Sequence, residues 1–189
     1  SMTFSHRISH KLFFSSSIRN ADAVTTISFG TAKKIESHFA REVAFVIPPT
    51  VRSSLQIHAN TELKKANNNY LLFVGTIEPR KNLSALLKAF NELRKMTTNK
   101  DLELWIVGAT GWKTKKLYNR LLESPGVKLI GNISDEELVK LYKQAKVFVF
   151  PSIYEGFGMP VLEAVYFGAT VVASDIEEIR EAGNKHVIY

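Results

Sequence analysis

Glu155 and Glu163 lie eight positions apart, with two glycines and a proline between them, in the run Glu155-Gly156-Phe157-Gly158-Met159-Pro160-Val161-Leu162-Glu163. In one uninterrupted helix, eight steps of about 100° would leave the two carboxylates roughly 80° apart around the axis, without a common target. A helix that begins between them changes the geometry. Pro160 suits the first helical position, where a missing N–H costs nothing. Glu155 is then expected in a loop and Glu163 in the first turns of the helix, both bordering one ligand. Gly156 and Gly158 let the loop backbone come close to that ligand, and the free N–H groups of a helix start favour an anion such as phosphate.

Arg80 and Lys81 are the second chemical pair, next to Asn82, a residue able to cap a helix. A guanidinium fork beside an ammonium suits a diphosphate. An isolated Arg-Lys pair is more often an exposed basic turn, and Glu163 by itself would be an ordinary solvated helix residue. Position in the fold therefore decides. Ionised carboxylates only accept hydrogen bonds, so sugar or ribose hydroxyls are natural partners for Glu155 and Glu163. Paired carboxylates also serve glycoside hydrolases, but an enzyme acting on a neutral glycan has no use for Arg80 and Lys81.

Other chemistries find little support. His6, His10, His38, His58 and His186 show neither His-Glu-x-x-His spacing nor a neighbouring carboxylate cluster, which predicts no metal site. The absence of G-x-G-x-x-G after the strand at residue 70, and of any Walker-type Gly-Lys-[Ser/Thr], argues against a dinucleotide oxidoreductase and an NTPase. Trp105 reads as core, and Trp112 as cover for an edge or, second, as a border of the crevice. Gly131-Asn132-Ile133 is placed to flank a base by position alone.

The elements that must hold these residues alternate strictly. Residues 23–28 read as a strand, 31–39 as a helix and 43–47 as a strand ended by Pro48-Pro49. Residues 51–69 read as a linker. The strand over 70–75 lacks alternation, as in a parallel sheet buried on both faces. A helix follows with Leu83, Leu86, Leu87, Phe90 and Leu93 on one stripe. Strands are then expected over 102–107, 127–130, 146–150, 170–173 and 186–189. Helices are expected over 115–122, from a Ser134/Glu137 capping box to about 144, over 160–167 and over 177–182. This alternation predicts an α/β fold with a doubly wound parallel sheet. If the strand order is 3-2-1-4-5-6, the ligand crevice opens between the carboxyl ends of the first and fourth strands. Those ends carry the Arg80-Lys81 loop and the Glu155 loop, so helix geometry and sheet topology select the same place.

Composition sets the frame. The 189 residues are 45% hydrophobic and contain no cysteine, which removes disulfides and thiolate chemistry and fits a reducing, cytoplasmic setting. There is no apolar run of transmembrane length and no signal-peptide pattern. The net charge of +7 favours anionic partners, but no zinc-finger, RNP or basic-region pattern accompanies it, so nucleic acid is not expected. Residues 1–60 hold seven Lys/Arg against three Asp/Glu. Arg7, Lys11 and Arg19 there flank Leu12-Phe13-Phe14, which reads first as an interdomain helix and second as a candidate for peripheral contact with the inner face of an anionic membrane.

Taken together, the segments Phe73-Val-Gly-Thr-Ile-Glu-Pro-Arg-Lys-Asn82, Leu104-Trp-Ile-Val-Gly108, the Gly131 loop, Phe150-Pro-Ser152 and Glu155 to Glu163 resemble the C-terminal domain of retaining family-4 (group 1) glycosyltransferases of the GT-B fold. The resemblance covers most of residues 23–183. It implies that Arg80 and Lys81 bind the donor diphosphate, with Gly75 and Thr76 in the same loop. Glu163 would hold the ribose hydroxyls and Glu155 the transferred sugar, as the candidate catalytic residue. The backbone of Gly156, Phe157, Gly158 and Met159 would lie beside sugar and phosphate, and Asn132 and Ile133 near the base. It implies no metal or other cofactor, because basic side chains and a helix start neutralise the leaving diphosphate. The partners would be a nucleotide-sugar, with the Glu-Pro-Arg-Lys-Asn wording leaning toward GDP-mannose, and a glycan or lipid-linked acceptor in surface polysaccharide biosynthesis. Residues 1–50 resemble the end of the N-terminal GT-B domain and 70–189 a C-terminal domain short of its last helices, so the chain is expected to be mainly the donor-binding half, inactive alone. The alternatives are a non-catalytic nucleotide-sugar-binding module and, more remotely, a GT-B nucleotide-sugar epimerase.

Overall fold

Short β-branched segments near the start and longer apolar runs after residue 70 fold into separate parallel sheets. The computed structural model describes residues 13–61, 69–96, 98, 100–112 and 114–189. The chain divides into two units, one ending at Pro49 and one beginning at Thr50. In the first, helix α1 covers residues 13–20. Strands β1 (Thr25–Thr26) and β2 (Phe45–Val46) pair in parallel around helix α2 (Phe29–Phe39). Ser28 caps α2 by accepting from the Thr31 N–H at 3.0 Å, so the helix starts two residues before the expected Thr31. Phe13 and Phe14 are exposed. Arg7, Lys11 and Leu12 lie outside the described residues, as do residues 62–68 of the expected linker.

The rest of that linker differs from the expectation. Residues 53–56 form helix α3 (Ser53–Gln56), and Val51 and Leu55 are buried in the core of the second unit. Val51, ahead of the helix, and Leu55 within it anchor this segment to the core.

The second unit continues with β3 (Tyr70–Val74), α4 (Leu83–Lys95), β4 (Glu103–Val107), α5 (Lys115–Leu122), β5 (Val127–Gly131), α6 (Asp135–Gln144), β6 (Val147–Phe150), α7 (Met159–Tyr166), β7 (Val171–Ala173), α8 (Glu177–Gly183) and β8 (Val187–Ile188). The sheet order is β5-β4-β3-β6-β7-β8, every pair parallel. This is the doubly wound order expected, with its reversal between β3 and β6. Leu72, Phe73, Leu104, Ile106, Phe148 and Phe150 fill the sheet core, each fully buried side chain contributing about 1.5–3 kcal/mol.

Several local expectations are corrected. The α4 stripe ends at Phe90, and Leu93 is exposed. Asn82 occupies the cap position of α4 in the left-handed conformation, φ 54°, without a side-chain cap bond; its carbonyl instead accepts from the Ala85 and Leu86 N–H groups. Pro160 is the second residue of α7, since Met159 is the first. Trp105 is half-buried, stacked on Tyr70 at 4.1 Å and donating to Glu103 at 2.7 Å. The Ser134/Glu137 capping box, by contrast, is formed as expected, in both directions.

Beyond β3 and β4 the loops stay joined. The Gly75 N–H donates to Val107 O and the Ile77 N–H to Ala109 O, both at 2.9 Å. At Gly108, φ is 137° and a Cβ would stand 2.4 Å from Gly75 O. Gly108→Ala should therefore cost about 2–4 kcal/mol through strain and backbone overlap, read as a lower urea midpoint at unchanged m-value; an unchanged midpoint would show that these loops yield freely.

Candidate functional site

The β3–α4 and β6–α7 loops meet where the sheet order reverses. The Ile153 N–H donates to Arg80 O at 2.8 Å, tying them together. A single 3₁₀ turn, Pro79–Lys81, aims Arg80 and Lys81 at the second loop. Lys81 Nζ donates to Glu155 Oε1 and Arg80 Nη1 to Glu155 Oε2, each at 2.6 Å. Arg80 also donates to Tyr154 O at 3.2 Å and pairs with Glu78 at 2.6 Å. Lys81 is only 5% exposed and Glu155 6%, while the Lys81 ammonium lies 4.6 Å from the Phe150 ring centroid. Burial pulls the Lys81 pKa down, opposed by the hydrogen bond and charge of Glu155.

The two carboxylates expected to share one ligand take different protein partners. Glu163, in the second turn of α7, is 5% exposed. It accepts from Tyr142 Oη at 3.0 Å on Oε2 and from Arg52 Nε at 3.3 Å on Oε1. Arg52 Nη1 also pairs with Asp135 at 3.4 Å. Burial raises the Glu163 pKa, opposed by the Tyr142 and Arg52 bonds. Tyr142 is pushed well above its ordinary value, by burial first and then by the Glu163 charge. Sequence reasoning missed Arg52, Asp135 and Tyr142. Arg52 lies 111 positions from Glu163, and Tyr142 sits on the buried α6 stripe with Leu138 and Val139, which reads as core.

The remaining residues surround this arrangement. Gly75 has φ 150° and Thr76 beside it is exposed. Gly158 caps α7 at φ 104°, packed against Ile179 and Ala182 of α8, and no side chain caps that helix start. Phe157 is buried in the core, so only its backbone faces the loop surface, while Gly156 and Met159 are half-buried. Asn132 is exposed and Ile133 packs partly against the core. Their loop abuts that of β4, because the Gly108 N–H donates to Gly131 O at 2.8 Å. It also leads into Asp135, the partner of Arg52. The loops at the carboxyl ends of β3, β5 and β6 thus carry Gly75, Thr76, Arg80, Lys81, Asn132, Ile133 and Glu155, while Glu163 lies on α7, Asp135 and Tyr142 on α6 and Arg52 before α3. Among the described residues no cluster of three His, Cys, Asp or Glu could hold a metal, and no helix is long and apolar enough to cross a membrane.

Two outcomes follow from the burial of these charges. Glu155→Ala leaves the Lys81 ammonium buried without its carboxylate and should cost about 3 kcal/mol in urea unfolding, partly recovered when Lys81→Met is added; an unchanged midpoint would mean that Glu155 does not compensate Lys81. For Glu163 the folded pKa is raised, so the native state holds its proton more tightly. That contribution to stability is present below the ordinary glutamate range and is lost as pH rises through the raised value. Glu163→Gln should flatten this part of the stability–pH profile, and a profile identical to wild type would contradict the assignment.

Comparison with known proteins agrees with this geometry. Residues 56–187, well over half of the chain, match the family described as "Glycosyl transferases group 1". "O-antigen chain mannosyltransferase B" of Escherichia coli is 40% identical over 115 residues, 59% of this chain and 30% of that protein. "Serotype-specific mannosyltransferase WbdA" of Escherichia coli is 31% identical over 192 residues, 90% of this chain and 23% of that protein. The chain thus spans less than a third of either relative. Among solved structures, WaaG, a glycosyltransferase involved in lipopolysaccharide biosynthesis, superposes with a TM-score of 0.73 at 17% identity, over 96% of this chain and 52% of its own; at that identity the likeness establishes the fold, GT-B. By the family match over residues 56–187, this chain belongs to the group 1 glycosyl transferases.

Proposed function

We propose that this chain supplies the donor-binding half of a transferase that moves a sugar from a nucleotide-diphosphate sugar, GDP-mannose by preference, to a glycan or lipid-linked acceptor with retention of configuration. The observation that carries this reading is the convergence of Arg80 and Lys81 on Glu155, at 2.6 Å each, where the sheet order reverses. Two cations and an uncapped helix start at one point suit a diphosphate, and a carboxylate between them suits a sugar hydroxyl. The mannosyltransferase relatives support the choice of sugar, and those named for O-antigen support a surface polysaccharide as product.

In this reading the donor diphosphate shares Arg80 and Lys81 with Glu155, beside Gly75, Thr76 and the start of α7. As the bond from the anomeric carbon to the diphosphate oxygen breaks, these cations stabilise the charge that grows on the leaving group, a task that needs no metal ion. Glu155 binds the transferred sugar and stabilises positive charge at its anomeric carbon, with the backbone of Gly156 to Met159 alongside. Glu163 holds the ribose, and Asn132 and Ile133 border the base. The unit ending at Pro49 is the close of a preceding domain that presents the acceptor.

Isothermal titration with GDP-mannose, UDP-glucose and ADP-glucose tests the reading. GDP-mannose should bind most tightly and in the presence of EDTA, and Arg80→Ala and Lys81→Ala should each weaken it about tenfold or more, the size of a lost charge-assisted bond. Binding of none of the three, or an Arg80→Ala variant equal to wild type, would refute donor binding; loss of binding in EDTA would refute its independence of metal.

A further inference from the structure

Arg52 stands immediately before α3, outside every motif in the sequence, yet its guanidinium reaches the buried carboxylate of α7. We propose that Arg52, together with Tyr142, is a positioning residue that holds Glu163 oriented for the two neighbouring hydroxyls of a nucleotide ribose, so that discrimination for a ribose bearing both hydroxyls is set from the segment before α3. The inference rests on the donor-binding reading above and deepens it by naming what orients the ribose-binding group.

The geometry fixes Glu163 from two sides. Arg52 Nε donates to Oε1 at 3.3 Å while Nη1 meets Asp135 at 3.4 Å, so the planar fork is held at both ends between α6 and α7. On the other side Tyr142 Oη donates to Oε2 at 3.0 Å. The direction of that hydroxyl is set by core packing, since the Tyr142 ring is fully buried, edge-on to Phe148 at 5.4 Å and stacked on Phe167 at 6.0 Å. A carboxylate oxygen accepts about two hydrogen bonds. With one site on each oxygen used by the protein, one remains on each, matching a vicinal pair of hydroxyl donors.

The charge on Glu163 depends on the same contacts. A protonated carboxyl would turn one of its acceptors into a donor and lose the match to a diol. Burial favours protonation, and the Tyr142 hydroxyl and the Arg52 charge oppose it, while Asp135 acts in the opposite sense and is itself paired by Arg52. Arg52 from the segment before α3, with Tyr142 and Asp135 from α6, are the groups that act on Glu163 across its packing surfaces. A lysine at position 52 would restore the charge but, lacking the planar fork, not the two-ended grip.

The test compares GDP with 2′,3′-dideoxy-GDP by isothermal titration of wild type, Arg52→Gln and Arg52→Lys at two pH values. Wild type should prefer GDP; Arg52→Gln should lower GDP affinity about tenfold, leave 2′,3′-dideoxy-GDP within about twofold, and lose more as pH falls, with Arg52→Lys intermediate. Equal losses for both nucleotides, or none for either, would overturn the proposal, since a merely structural role cannot distinguish the two ribose forms. The ¹³C carboxyl titration of Glu163, assigned by its loss in Glu163→Gln and read without nucleotide, should move to higher pH in Arg52→Gln. If wild type binds no nucleotide, donor binding by this chain fails, and this titration decides the role of Arg52 independently: an upward shift sustains control of Glu163 by Arg52, and an unmoved midpoint removes it.

Discussion

A carboxylate taken out of water must be compensated where it lies, and the site is organised by this constraint. Glu155 is 6% exposed and has a cation on each oxygen. An unpaired buried charge costs several kcal/mol, so Arg80, Lys81 and Glu155 are required to meet. They can do so only because β3 and β6 are neighbours in the sheet, although Lys81 and Glu155 lie 74 positions apart in the chain. The 3₁₀ turn that aims the two cations, the left-handed Asn82 that follows it, and the Ile153–Arg80 backbone bond all serve this meeting.

The second carboxylate meets the same constraint with weaker means. Glu163 receives one cation, Arg52, half exposed and at the longer distance of 3.3 Å, and one neutral donor, Tyr142. Burial raises the Glu163 pKa in spite of both partners. Two glutamates eight positions apart thus have different partners, one clamped between two cations and one held by a single cation and a neutral hydroxyl. Such a division suits a site in which one carboxylate faces developing positive charge and the other only accepts hydrogen bonds from neutral hydroxyls. In both cases the polar groups are held in position by protein partners before any ligand arrives, which in the proposed reading limits the ordering cost of binding.

The alternation of elements, the sheet order and the loops that carry Arg80, Lys81, Glu155 and Glu163 are legible in the chain itself. Apolar strands such as Tyr70–Val74 and Val147–Phe150 declare burial by lacking alternation, and the Ser134/Glu137 pair marks a helix start by spacing alone. These are local signals, each written within a dozen residues. Polar composition is less dependable: the run after Pro49 reads as a linker because of Ser53, Ser54 and the Asn67-Asn68-Asn69 stretch, yet Val51 and Leu55 are buried in the core and Ala59 packs against it. Asn82 has the right type for a cap and the right place, but its backbone adopts the left-handed form demanded by the preceding turn, so the side chain cannot cap.

By itself the sequence determined which residue types stand at the carboxyl ends of which strands, because periodicity, caps and turns are properties of neighbouring residues. Only the tertiary structure decided how their charges are balanced. That Lys81 and Arg80 both rest on Glu155, and that Arg52 and Tyr142 attend Glu163, are contacts across 74, 75, 111 and 21 positions. No local pattern encodes such pairings. They arise when chain folding brings unlike charges into a low-dielectric place where neither can remain alone.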